Sequence, residues 1–177
     1  MSELSSFELA EAPRFRAGAD WFVVSRDRNI TCIRVGTTAE RVVDMLHALS
    51  VHLDPAVDVC IEDARTGRRW AGALLALPDV RETVGRLRLS LAAYGGVDVS
   101  LFTDSDQVTL TPEMSLVIYA RTDRWAFLLD GMGLVERAAV PMPSWLPQRS
   151  ALRPQPQLAY ALQSAAERLG LTEEEGP

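Results

Sequence analysis

Lysine is absent from this chain: all 18 basic side chains are arginine. That absence excludes a Schiff base to a carbonyl substrate or to pyridoxal phosphate, which needs a Lys amine. It excludes a Walker-type phosphate loop, whose Lys reaches the β/γ-phosphates, and a kinase-type Lys–Glu pair. A GC-rich genome, which favours Arg codons, is a sufficient cause. Histidine is scarce as well. The two copies, His47 and His52, lie five apart on one predicted helix, about 500° of rotation, whereas ligands sharing a helix face sit at i, i+4. No G-x-S-x-G elbow and no paired Cys/His spacing is present, so no metal, cofactor or catalytic residue is assigned. Cysteine is limited to Cys32 and Cys60. Both lie in strand-like runs and are expected to be reduced, buried and structural, with a cross-strand disulfide as the alternative. Apolar runs such as Ala71–Leu77 are too short to cross a bilayer. The start, MSELSSFELAEAP, lacks a charged segment followed by an apolar one, so no signal peptide and a cytoplasmic location are expected.

What is present fits one globular domain with appended segments. The chain has 177 residues, 47% of them hydrophobic, enough for a core without metals or disulfides. Net charge is −6 and the pI is about 5.0. Polyanions are therefore poor partners overall, although a local basic patch is compatible with that charge.

Residues 1–18 read as a loose arm and 19–140 as the folded domain. Trp21–Ser25 and Ile30–Val35 are predicted strands around a turn. Thr37 is the predicted helix cap, with Glu40 as its capping-box partner. Val42, Met45, Leu46, Leu49 and Leu53 make one apolar helical face. Val57–Glu62 and Trp70–Leu77 are predicted strands around a turn at Ala64–Arg68, where Gly67 can take positive φ. Pro78 and Asp79 suit a second helix start; Val80, Val84, Leu87 and Leu91 form its face, and Gly95–Gly96 its end. Val97–Thr103, Gln107–Leu110, Met114–Ala120 and Trp125–Leu129 read as further strands. Five of the ten prolines fall between Pro141 and Pro156, which predicts an extended linker over 141–156. A last helix is expected over 157–170 and a disordered acidic tail over 171–177. The fold class is α+β: a mainly antiparallel sheet with two helices packed on it, plus a C-terminal helix on a Pro-rich strap.

Two internal echoes stand out. Val57-Asp58-Val59-Cys60-Ile61 resembles Val97-Asp98-Val99-Ser100-Leu101, and Ala64-Arg65-Thr66-Gly67-Arg68-Arg69-Trp70-Ala71 resembles Ala120-Arg121-Thr122-Asp123-Arg124-Trp125-Ala126. They suggest a repeated strand–turn–strand–helix unit.

Three features are candidate sites. Carboxylates cluster at Glu62-Asp63 and at Asp104-Ser105-Asp106. The second group opens like a calcium loop but lacks its Gly and final Glu, and reads as a hairpin turn. Asp130-Gly131-Met132-Gly133 lacks a dinucleotide fingerprint and reads as a strand exit. The predicted turns also carry Arg26, Arg28, Arg65, Arg68, Arg69, Arg121 and Arg124 beside Trp70 and Trp125. If these turns share one end of the sheet, they form a basic rim. Such a rim is solvated beside Asp27 and Asp123, or binds an acidic protein surface, or stacks single-stranded nucleic acid. The C-terminal helix adds an apolar stripe, Leu158, Leu162 and Leu169, that packs on its own sheet, on a second subunit or in a partner's groove.

The order from Thr37 onward, helix, two strands, helix, three or more strands, helix, resembles roadblock and longin-type modules, and more loosely the small acidic secretion-chaperone-like proteins. That resemblance implies a dimer that binds other proteins without doing chemistry. The expected function is accordingly a non-enzymatic interaction module, adaptor or chaperone-like. Its partners are another protein and a second copy of itself; nucleic acid and membrane are not expected. The alternatives are a hydrolase using Asp104, Asp106, Glu62 or a histidine, and a single-stranded nucleic-acid binder using the Arg/Trp turns.

Overall fold

Alternating apolar and polar residues build most of the sheet, because successive strand side chains face opposite sides. The computed structural model of the protein describes residues 20–141 and 153–174. The expected arm, 1–18, and most of the expected linker, 141–156, lie outside them. The strands are β1 (Trp21–Asp27), β2 (Ile30–Gly36), β3 (Ala56–Asp63), β4 (Arg68–Ala76), β5 (Val97–Phe102), β6 (Asp106–Leu110), β7 (Leu116–Ala120), β8 (Val135–Glu136) and β9 (Thr172–Glu174). The helices are α1 (Ala39–Ser50), α2 (Leu77–Tyr94), α3 (Arg124–Gly131) and α4 (Pro156–Leu169). The strands form one sheet in the order β8-β1-β2-β7-β6-β5-β3-β4-β9. Every pairing is antiparallel except β8 with β1. The α+β class is as expected from the sequence.

One face of this sheet makes the core. Register carries Phe22, Val35, Leu116, Leu110, Val99, Ile61 and Trp70 across seven strands on that side. They join the buried residues of all four helices in one cluster. Leu158 and Leu162 of α4 are fully buried there and Leu169 nearly so. At roughly 2 kcal/mol per buried leucine, α4 is fixed on its own domain. Its stripe is therefore not available to a partner.

Several expected boundaries shift. The α1 cap is Thr38, whose hydroxyl accepts from the Arg41 amide at 3.3 Å; Thr37 instead donates to Asp20. Trp125–Leu129 is not a strand but the middle of α3. Its buried residues Trp125 and Leu129 are four apart, the spacing of one helix face. Asp130–Gly133 is accordingly a helix exit. The tail expected to be disordered supplies β9, paired on the outer edge of β4. Among the described residues no helix is long and apolar enough to cross a membrane.

Candidate functional site

Strand register separates the arginine-bearing turns into two groups. Asp63 pairs with both Arg68 and Val97, so the β3–β4 turn lies at the end where β5 begins. Asp27 pairs with Ile30, Thr31 with Ala120, and Asp106 with Ala120. The β1–β2 turn and the β7–α3 turn therefore lie at the opposite end. No single rim forms. Arg65, Arg68, Arg69 and Trp70 occupy one end, and Arg26, Arg28, Arg121, Arg124 and Trp125 the other.

At the first end the organiser is Asp63, which is buried. Its carboxylate accepts from the Arg65 amide at 3.0 Å and from the Thr66 hydroxyl at 3.1 Å. The Arg65 guanidinium, also buried, donates to the carbonyls of Tyr94 (2.5 Å), Gly95 (2.6 Å) and Arg153 (3.1 Å). A cation at the C-terminal carbonyls of α2 complements the helix dipole. Arg65 is thus a clamp inside the fold, not a surface contact. Arg68 donates to both carboxylate oxygens of Glu173, at 2.7 and 2.9 Å, and to Gln163 at 2.8 Å. It also lies over the Trp70 ring, 4.7 Å from the centroid. Arg69 pairs with Glu174 at 3.0 Å and donates to the Cys60 sulfur at 3.1 Å. The Arg68 guanidinium holds Glu173 below the usual carboxylate range. Burial pushes the Cys60 thiol up, against the pull of Arg69.

At the second end the organiser is Asp106, also buried. It accepts from Arg124 at 2.5 Å, from Trp125 Nε1 at 2.9 Å and from the Ser105 hydroxyl at 2.9 Å. Its lone pairs hold the start of α3 in place. Arg124 lies over Trp125 at 4.9 Å, and the His52 ring meets Trp125 edge-on at 6.3 Å. Asp123 is engaged by Arg26 and by Thr31, both at 3.2 Å. Arg28 and Arg121 border a shallow hollow of about 230 Å³ there. Neither forms an ion pair among the described residues.

Trp70 and Trp125 are 2% and 0% exposed. Stacking on bases requires an open ring face, so neither tryptophan offers the platform that the sequence suggested.

The face of the sheet opposite the helices is a third region, unmarked in the sequence reading. Cross-strand pairs place Ser25, Cys32, Tyr119, Gln107 and Phe102 in one row and Val23, Arg34, Val117, Thr109, Ser100 and Cys60 in the next. On the β1–β2–β7 half, Val23, Cys32 and Val117 are half-buried beside exposed Ser25, Arg34 and Tyr119. The β6–β5–β3 half is polar: Gln107 donates to Thr109 at 3.0 Å, Thr109 and Ser100 share a bond of 2.9 Å, and Ser100 donates to Asp98 at 2.6 Å. Burial pushes the Asp98 carboxyl up; the Ser100 bond opposes this, and Glu62, directly across on β3, adds to it. Period-two alternation in each strand is the signal that would have revealed this face.

Among the described residues no three His, Cys, Asp or Glu side chains converge to hold a metal. No family model, curated protein or solved structure matches this chain.

Proposed function

We propose that this chain is a non-enzymatic protein-interaction module, adaptor or chaperone-like, that works in the cytoplasm as a homodimer. The observation that supports this reading is the second face of the sheet. All four helices contribute to a core on one side, and the β1–β2–β7 half of the other side bears half-buried Val23, Cys32 and Val117 and the exposed ring of Tyr119 around the exposed Arg34, with exposed Ser25 beside them and Ile30 at the rim.

Antiparallel sheets tolerate one solvated face, and their outward residues are then polar. Here the β6–β5–β3 half is polar but buries Ser100 and Thr109, and the β1–β2–β7 half mixes Val23, Cys32, Val117 and Tyr119 with Ser25 and Arg34. At about 3.3 Å per residue and about 4.8 Å between strands, the β1–β2–β7 half offers roughly 300 Å² and the whole face on the order of 800 Å², so the polar rows must join the contact for it to reach the area per partner of a standard interface. The occupant proposed is a second copy of the chain, with the β1–β2–β7 half against its counterpart and the polar rows at the rim.

Size-exclusion chromatography with light scattering tests this. The expected result is a dimer at micromolar concentration in low and high salt. Val117→Glu with Tyr119→Glu is expected to give a monomer that is still folded by circular dichroism, because both side chains point away from the core, with a melting temperature lowered only by the lost pairing. A wild-type monomer throughout that range, or a dimer unaffected by the two substitutions, would overturn the reading.

A further inference from the structure

The outer edge of β4 carries the chain's own acidic end. β9 pairs antiparallel with it through Arg69 with Glu174, Trp70 with Glu173 and Ala71 with Thr172. Each side of this short strand is read by a different group. On the helix side, Arg68 takes both oxygens of Glu173 in a fork, the geometry in which Arg recognises a carboxylate most selectively. On the open side, Arg69 takes Glu174. One residue before the strand, the Leu171 side chain lies over Gly72, where a Cβ would come within 2.7 Å of it. The edge thus selects an apolar residue, then one of either kind, then two acids.

The occupant is held lightly. All three residues of β9 are exposed, and the members of both ion pairs are 39–49% exposed. Pairs in that setting add little. β9 also covers only three residues of a nine-residue strand.

We propose that the β4 edge is a docking site for an extended acidic segment of another protein, and that the chain's own Leu171–Glu174 fills it as a displaceable competitor. Addition of a strand to a sheet edge supplies main-chain hydrogen bonds in either case. The tethered tail has an effective concentration in the millimolar range, so an incoming segment must pair more of β4 or carry more charge. This surface is an edge, separate from the open face, and does not depend on pairing of two copies.

The test uses a fluorescein-labelled peptide, Leu-Thr-Glu-Glu-Glu, and the full chain, read by fluorescence anisotropy at low salt. Glu173→Arg with Glu174→Arg removes the competitor and is expected to tighten peptide binding at least 10-fold over wild type. Adding Arg68→Gln and Arg69→Gln to that variant, which removes the edge charges without re-forming the tail pairs, is expected to weaken it at least 10-fold. Should the charge-reversed tail fail to fold by circular dichroism, Glu173→Gln with Glu174→Gln gives the same comparison. Equal affinity for wild type and open-tail variant, no binding by either, or binding retained after neutralisation of Arg68 and Arg69 would overturn the proposal. Val117→Glu with Tyr119→Glu is expected to leave peptide binding unchanged, which separates this outcome from that of the dimer test.

Discussion

Two segments with nearly the same sequence fold in two different ways. Ala64–Ala71 turns back as a hairpin from β3 into β4, whereas Ala120–Ala126 leaves β7 and winds into α3. The residue in the middle decides the path. Gly67 has φ +71°, which lets the chain reverse at low steric cost. Its counterpart Asp123 has φ −86° and ψ 6°, a conformation from which a helix starts. Each segment then places an arginine over a tryptophan beside a buried aspartate, yet the polar bookkeeping differs. Trp125 Nε1 donates to Asp106. Trp70 Nε1 is buried with no acceptor among the described residues, because Asp63 faces Arg65 and Thr66. Local similarity thus sets which side chains are buried, and the turn residue sets what they meet.

The largest expected effect breaks that asymmetry. Trp125→Phe removes a bond to a buried carboxylate and leaves Asp106 short of a donor, so it should cost about 3 kcal/mol. Trp70→Phe loses a similar volume but removes an unsatisfied N–H, and should cost about 1 kcal/mol. Urea denaturation of both variants measures the difference. Equal losses would mean that the Asp106 bond contributes nothing.

A pair of glycine substitutions sharpens the hairpin side. Gly67 and Gly96 both have positive φ, so an alanine at either strains the backbone by about 1 kcal/mol. A Cβ on Gly67 meets nothing within 4 Å, whereas one on Gly96 would lie 2.4 Å from Arg65 Nη1. Gly96→Ala should therefore cost about 2 kcal/mol or more, the excess over Gly67→Ala reporting the Arg65 clamp. The same denaturation series reads it, and Arg65→Ala should erase the excess.

The sequence made visible the elements whose signal is long and internally consistent. α2 shows Pro78 in its first turn, four buried residues at helical spacing and glycines at its end, and all of these act as expected. α3 escaped because Trp125–Leu129 is a five-residue apolar run in which only the first and last residues are buried deeply. A period of two and a period of 3.6 cannot be separated over so few residues. The arginines and tryptophans were visible as types, but not their placement. Register alone sends Arg65–Arg69 and Arg121–Arg124 to opposite ends of the sheet, and tertiary burial takes both indoles inside. β9 was missed for a related reason. An acidic run without apolar partners reads as disordered, and its order depends on Arg68 and Arg69, over a hundred residues away. The matching doublets Arg68-Arg69 and Glu173-Glu174 were the available clue.

The smallest expected effect concerns that same contact, and it separates the exposed clamp from the buried one. Glu173 is held below its ordinary range, chiefly by its hydrogen bonds to Arg68. For a carboxylate whose folded value is depressed, the stabilisation is complete above the unfolded value, about 4.3, and fades as pH falls through the lower folded value. β9 should therefore loosen on acidification below the usual Glu range and stay docked from there to neutral pH. The affected amides are those of β9 and its partner residues on β4, so hydrogen exchange at Ala71 and Thr172 is the readout, not global melting. High salt at neutral pH should speed the same amides, because exposed pairs are screened. Exchange at the Arg65 amide, which donates to buried Asp63, should not respond to salt. If Ala71 and Thr172 exchange at the same rate at neutral pH, at acid pH and in high salt, main-chain pairing and Leu171 hold the strand without help from charge.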